Sequence, residues 1–143
     1  MKQGFGEFEI DTAIERTQFG RVHEWLTGCY WSPGVTFERV VRAAEGSSLV
    51  VSAYQGEVQV GYLRVVSDRT SFAWVCDVFV DEPHRGKGLA RAMVNFALQH
   101  PDHEGLRRWI LATKDAHGVY AACGFEPLKA PERWMLRGGN PSP

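Results

Sequence analysis

Cysteine is scarce in this chain. Cys29, Cys76 and Cys123 form an odd, widely spaced set of three with no Cys-x-x-Cys pair, which argues against a disulfide framework or a thiolate zinc site. All three stand among apolar or small residues, where free buried thiols are common, and a reducing, cytoplasmic setting is the expectation. Charge of one sign is lacking too. The 16 Lys and Arg stand against 17 Asp and Glu, a formal net charge of -1, and a general nucleic-acid binder is normally strongly basic. Long hydrophobic runs are missing. The most apolar stretch, Phe72 to Val80, is interrupted by Asp77 and too short to span a bilayer, so no membrane association is expected. Met1 to Ile10 has no signal-peptide apolar core. His100 and His103, around Pro101, have no further ligands beside them and read as a loop, so no metal is expected. There is no Gly-x-Ser-x-Gly elbow, no Walker loop, no Gly-x-Gly-x-x-Gly fingerprint and no internal repeat.

What is present is a globular composition, 44% hydrophobic and 23% charged over 143 residues, enough for one core without covalent support. Glu7 to Ile10 reads as a short first strand. Val22, Trp25 and Leu26 share one face of a short helix. Gly28 to Gly34 is a turn-rich loop carrying Tyr30 and Trp31. Phe37, Val40, Val41 and Ala44 recur at helical spacing after Thr36, a natural N-cap, and before Gly46. Ser48 to Tyr54 and Val58 to Val66 form a hairpin about Gln55-Gly56-Glu57. Phe72 to Val80 is apolar on both faces, as a central strand should be. Ala90, Met93, Val94, Ala97 and Leu98 mark the strongest helix, stopped by Pro101. Trp109 to Ala112 is a strand, and a short helix from about Asp115 to Cys123 closes at Gly124 and Phe125. Arg133 to Arg137 is a last strand. The order predicts a three-layer α/β (α+β) domain with a mixed sheet over residues 1–137 and a fraying tail over 138–143.

The sharpest feature lies where the apolar strand meets the strong helix, at Arg85-Gly86-Lys87-Gly88-Leu89-Ala90. Amides at a helix start have no intrahelical acceptor, and the helix dipole favours an anion there. Glycines let a phosphate approach the backbone. Arg85, Lys87 and Arg91 add positive charge around the same turn. A diphosphate there would gain several charge-assisted hydrogen bonds, each about 1.5–3 kcal/mol net.

This segment resembles the Arg/Gln-x-x-Gly-x-Gly/Ala signature of the GNAT superfamily of acyl-CoA-dependent N-acetyltransferases, and it follows an apolar strand as it does there. Ala116-x-x-x-Tyr120-x-x-x-Gly124-Phe125 is similar to that family's second signature. The resemblance runs from about Glu7 to Arg137 and implies a mostly antiparallel mixed sheet flanked by helices. It implies acetyl-CoA as co-substrate, with the amides of Arg85, Gly86, Lys87, Gly88, Leu89 and Ala90 on its diphosphate. The strand Val78, Phe79 and Val80 would lie along the pantetheine arm and splay from the Trp109–Ala112 strand. An amide near Val78 or Phe79 would donate to the thioester oxygen. Tyr120 matches the general acid that protonates the departing sulfur. Thr113 stands where the family often has Asn, seven residues before the Tyr, and would supply part of that residue's hydrogen bonding.

Asp77 is a carboxylate inside an apolar strand, one residue from the implied thioester contact, and is the first candidate for a base. The alternative is a structural pair with an arginine such as Arg64. Tyr30 and Trp31, in the loop that shapes the acceptor pocket in the family, line that pocket or pack beneath the loop. Asp68 reads as a turn former, not as an amine ligand. The expected activity is transfer of an acetyl group to a primary amine by direct attack, the acceptor being a small molecule or peptide; a non-catalytic acyl-CoA-binding domain is the alternative. Free sheet edges leave a homodimer open.

Overall fold

The computed structural model describes residues 1–138; the expected tail lies, beyond Gly138, outside the described residues. Ten elements follow the chain: β1 (Lys2–Phe5), β2 (Phe8–Asp11), α1 (Phe19–Thr27), α2 (Phe37–Glu45), β3 (Leu49–Gln55), β4 (Val58–Ser67), β5 (Phe72–Val80), α3 (Leu89–Leu98), β6 (Arg108–Ile110) and α4 (His117–Ala121). The six strands form one sheet in sequence order. All neighbours are antiparallel except β5 and β6, which are parallel and joined through α3.

Helices cover both faces. On one, α3 brings Met93, Val94 and Ala97 against Leu63, Val65 and Ala73 of the sheet. On the other, Val22 and Leu26 of α1 and Val40 and Ala44 of α2 pack on Val50 and Tyr62. Local chemistry sets the ends of these helices. The Thr36 hydroxyl accepts from the Arg39 amide at 3.3 Å and starts α2. α3 lies close on β4 because Gly61 has no side chain: a Cβ there would stand 3.0 Å from the Met93 Sδ and Cε. No helix among the described residues is long and apolar enough to cross a membrane.

Both ends of the chain depart from the sequence reading. The first strand is a hairpin of two, turning at Gly6 (φ 57°) with Phe5 opposite Phe8. Lys2–Phe5 carries too little apolar pattern to announce itself, and pairing with β2 makes it a strand. The last strand does not form. A 3₁₀ turn over Pro131–Arg133 is followed by chain without a sheet partner, with Met135 97% and Leu136 77% exposed. Strand propensity in Arg-Trp-Met-Leu-Arg supplies no partner, and β6 is only three residues long. α4 begins at His117, two residues later than expected, and Trp109–Ala112 shortens to β6.

His103 is the buried end of the His100–His103 turn. It is 2% exposed, shares a 2.8 Å hydrogen bond between Nε2 and the Ser48 hydroxyl, and leaves Nδ1 without a partner. Burial first, then neighbouring His100, lowers its pKa. As the pH falls, the unfolded chain therefore takes the proton first. The contribution to stability is complete above the unfolded value of about 6.5 and is lost as the pH falls from there through the folded value. The melting temperature should drop further between pH 7 and pH 5 in the natural chain than in His103→Gln. Parallel curves in differential scanning fluorimetry would contradict this.

Candidate active site

The site begins with a defect in β5. Tyr62 pairs with Phe79 and Arg64 with Cys76, so two steps along β4 match three along β5. The extra residue is in the Asp77–Val78 stretch, and Asp77 has φ 54°. This is a β-bulge, and Asp is among the few side chains that enter the left-handed region readily. β6 pairs only with Phe72, Ala73 and Trp74. Beyond that point no strand of the described residues covers the β6-side edge of β5 as far as Val80. The splay expected from the resemblance is present, and its mouth is a cleft of about 1330 Å³.

At the end of β5 the chain turns through Glu82–His84 into the glycine loop. Gly86 (φ 80°) and Gly88 (φ 79°) both need the left-handed region. Gly88 is the N-cap of α3 and gives no side-chain cap. The amides of Gly86, Lys87 and Gly88 find no acceptor among the described residues, and those of Leu89, Ala90 and Arg91 open the helix and have none within it. A Cβ built on Gly86 would meet nothing within 4 Å, so the ground outside the turn is open to a ligand. Six consecutive amides are thus left without an acceptor at a positive helix end, five of their residues (Gly86, Gly88, Leu89, Ala90 and Arg91) line the open cleft, and the donor set fits a diphosphate. Arg85 and Arg91 line the cleft, and Arg85 is fixed by a 2.8 Å bond from Nε to the Val80 carbonyl. Lys87 differs from expectation: its Nζ pairs with Glu7 Oε1 at 2.7 Å on the β1–β2 turn, so its charge is engaged there and only its amide serves the loop.

Tyr120 stands on α4, whose exit explains its Gly-Phe context. Gly124 (φ 93°) lets its own amide reach the Ala121 carbonyl and the Phe125 amide reach the Tyr120 carbonyl, both at 3.0 Å, which caps the turn. The Tyr120 ring meets Phe125 edge-on at 6.2 Å. Its hydroxyl has no partner among the described residues and is not sealed in the core, while the side chain lines the cleft. Burial first, then Tyr30, pushes the phenol up to about 12, so it stays protonated. The Thr113 hydroxyl accepts from the Ala116 amide at 3.1 Å and anchors the approach to α4. Its proton remains to be donated, and Thr113 also lines the cleft.

Asp77 carries two bonds. Oδ2 accepts from Arg64 Nε at 2.7 Å and Oδ1 from Trp31 Nε1 at 2.9 Å. The carboxylate therefore has the structural partner that the sequence offered as the alternative, and it still lines the cleft. Tyr30 reaches across to the other wall, where its hydroxyl accepts from the Lys114 amide at 2.9 Å. Tyr30 and Trp31 meet edge-on at 5.0 Å. The two aromatics pin the α1–α2 loop over the cleft, and both line it. Asp68 is a turn former, accepting from Thr70 and Ser71 amides at 2.9 and 2.7 Å, and its pKa is lowered chiefly by the Ser71 hydroxyl.

Among the lining residues that the sequence did not place in the site are Arg39, Trp74 and Cys76. Trp74 and Cys76 share a face of β5 by strand alternation, a signal visible once Ala73 is known to pack with α3. Arg39 gave none, being one of several charges on α2. Burial is the main cause that pushes the thiols of Cys29 and Cys76 up to about 11. Both stay protonated at neutral pH and make poor nucleophiles. No group of three or more metal-ligating side chains occurs among the described residues.

The model of the Acetyltransferase (GNAT) family matches residues 10–125. A structure from Xanthomonas campestris pv. campestris, assigned to that family as an acetyltransferase, has a TM-score of 0.90 at 36% identity, covering 95% of this chain and 96% of that one. A GNAT-family acetyltransferase from Streptococcus pneumoniae TIGR4 has a TM-score of 0.71 at 23% identity, over 94% of this chain and 99% of that one. Glucosamine-6-phosphate N-acetyltransferase from Arabidopsis thaliana has a TM-score of 0.65 at 17% identity, over 93% and 99%. At those two lower identities the likeness is one of fold. No curated protein matches the chain. With the family model running from Ile10 to Phe125 and 36% of aligned positions shared with a GNAT structure, the chain belongs to the GNAT family of acetyltransferases.

Proposed function

We propose that this protein transfers an acetyl group from acetyl-CoA to a primary amine by direct attack, with no covalent enzyme intermediate. The observation that carries the reading is the run of six unpaired amides from Gly86 to Arg91, continuous with an open strand edge and a free tyrosine hydroxyl in the same cleft. The loop amides of Gly86 to Ala90 hold the CoA diphosphate. The Val78–Val80 edge takes the pantetheine arm as an added strand. An amide at Val78 or Phe79 donates to the thioester oxygen, where a preorganised donor is worth roughly 2.7–4 kcal/mol as negative charge develops. The protonated thiols of Cys29 and Cys76 tell against an acyl-enzyme.

Three proton movements remain. An alkylammonium of pKa about 10.4 must give one proton to solvent before it can attack, the attacking nitrogen must shed a second, and a thiolate of pKa about 8.5 must gain one. Tyr120 donates to the sulfur. Burial that raises the phenol also raises a thiol in the same slot, which narrows the gap between donor and acceptor. Asp77 takes the proton that the nitrogen sheds as the carbon–nitrogen bond forms, using the lone pairs that Arg64 and Trp31 leave free. The reducing cytoplasm supplies acetyl-CoA and suits three free thiols.

Release of free thiol from acetyl-CoA across an amine panel tests the reading. Amine-dependent release is expected. Tight CoA binding without release from any amine would favour the acyl-CoA-binding alternative. Asp77→Asn separates base from brace. As a base, Asp77 should cost at least tenfold in kcat at every pH with CoA affinity unchanged. If it only holds Arg64 and Trp31, the loss should fall on stability, about 1.5–3 kcal/mol for a charged hydrogen bond, and on the KM for the amine.

A further inference from the structure

The walls of the amine side of the cleft carry an uneven charge. Arg64 and Asp77 form a pair on β4 and β5. Arg39 lies one turn before Ala43 on α2, and both line the cleft. The Ala43 carbonyl accepts from the Ser47 hydroxyl at 2.7 Å, and Arg64 Nη1 stands 3.4 Å from that same hydroxyl. Arg39 and Arg64 thus both line the cleft, with Ala43 of α2 among the residues between them in the chain. Arg39 has no ion-pair partner among the described residues, and no protein group among them hydrogen-bonds Arg64 Nη2. The other acidic lining residue, Asp115, stands near Tyr120, on whose pKa its charge acts. This part of the cleft thus holds two cations, Arg64 bonded in place and Arg39 exposed and unpaired among the described residues, against one carboxylate already bonded to Arg64. Trp31 and Trp74, the latter 39% exposed, give it aromatic walls.

We infer that the acceptor is an amine that also bears a carboxylate, seated between Arg64 and Arg39 with its apolar body against Trp31 and Trp74. This rests on the acetyl-transfer reading and names its substrate class. A guanidinium binds a carboxylate through paired donors, and Arg64 still has its outer nitrogens to offer. A polyamine or a lysine-rich peptide would instead place a second cation beside Arg39 with no free counter-charge. Arg64 Nε stands 2.7 Å from Asp77 Oδ2, so a carboxylate held by the Arg64 guanidinium lies close to the base that serves the amine.

Calorimetry on the protein saturated with CoA gives the test, using 5-aminopentanoate against pentylamine and phenylalanine against 2-phenylethylamine. In at least one pair the carboxylate member should bind tenfold or more tightly. Arg39→Glu should erase that preference while CoA affinity, the control for folding, holds. Equal or tighter binding of both decarboxylated amines, no binding by any of the four, or an unchanged preference in Arg39→Glu would overturn the inference. Thiol release with acetyl-CoA and the same four amines keeps the two readings apart. Turnover that favours pentylamine and 2-phenylethylamine sinks the carboxylate site alone. Carboxylate-selective binding that Arg39→Glu abolishes, with no thiol release from any amine, sinks acetyl transfer and leaves the anion site standing.

Discussion

Tyr120→Phe should lower turnover by roughly 10²- to 10⁴-fold, the usual share of a positioned acid, while CoA affinity changes by less than about threefold. The substitution removes one oxygen that bonds nothing among the described residues, and the edge-on contact with Phe125 survives in the ring that remains. Stability should therefore hold as well. Because the phenol is pushed up to about 12, the acid stays loaded across the working range. The rate in the natural protein should climb with pH as the amine loses its proton near 10.4, with no descending limb below about pH 10. Thiol release followed from pH 6 to 10 checks both points. Undiminished turnover in Tyr120→Phe, or a descending limb near pH 8, would remove Tyr120 from the acid role.

Gly88→Glu should reduce CoA affinity by a hundredfold or more. Gly88 sits at φ 79° as the N-cap of α3, with only Phe5 Cζ within 4 Å of a built Cβ, at 3.7 Å. The protein itself has room for the side chain, so the damage falls on the ligand. A carboxylate at the mouth of the amide run repels the diphosphate and competes for its donors. Loss of two charge-assisted bonds at about 1.5 kcal/mol each accounts for a factor above a hundred. A left-handed conformation also costs a non-glycine residue about 1–2 kcal/mol, which lowers the melting temperature whether or not the site matters. Gly105→Glu is the control. Gly105 has φ 77° and open space about it, and it lines a separate hollow with His103 and Trp109. The two variants should lose similar stability, and only Gly88→Glu should lose CoA. Equal calorimetric affinity in both would contradict a diphosphate site on this loop.

The elements that carry the site were legible for definite reasons. β5 is a long apolar run, α3 repeats its core residues at helical spacing, and two glycines lie between them. Each is a local pattern, and local patterns survive in one dimension. Thr36 as a cap and the Gly124–Phe125 close were legible in the same way. What escaped depended on partners. Lys2–Phe5 is a strand because β2 lies beside it, whereas Arg133–Arg137 has the stronger apolar pattern and no neighbour. Lys87 looked like part of a basic cluster until the β1–β2 turn brought Glu7 to it. Asp77 was conspicuous in an apolar strand, but nothing in the run foretold that it would occupy the extra position of a bulge and hold Trp31 from a loop 46 residues away.

By itself the sequence determined where the glycine turn would sit, which strand would precede it, and that a tyrosine would stand on a short helix closed by glycine. These follow from propensity, periodicity and the special backbone freedom of glycine, all properties of a few adjacent residues. Only the tertiary structure decided that β6 parts from β5 after Trp74, that Arg64, Asp77 and Trp31 meet through hydrogen bonds, and that Arg39 and Tyr120 line the same cleft. Those relations join residues far apart in the chain. They are set by how the two helical layers pack on a twisted sheet, and no stretch of sequence contains that geometry.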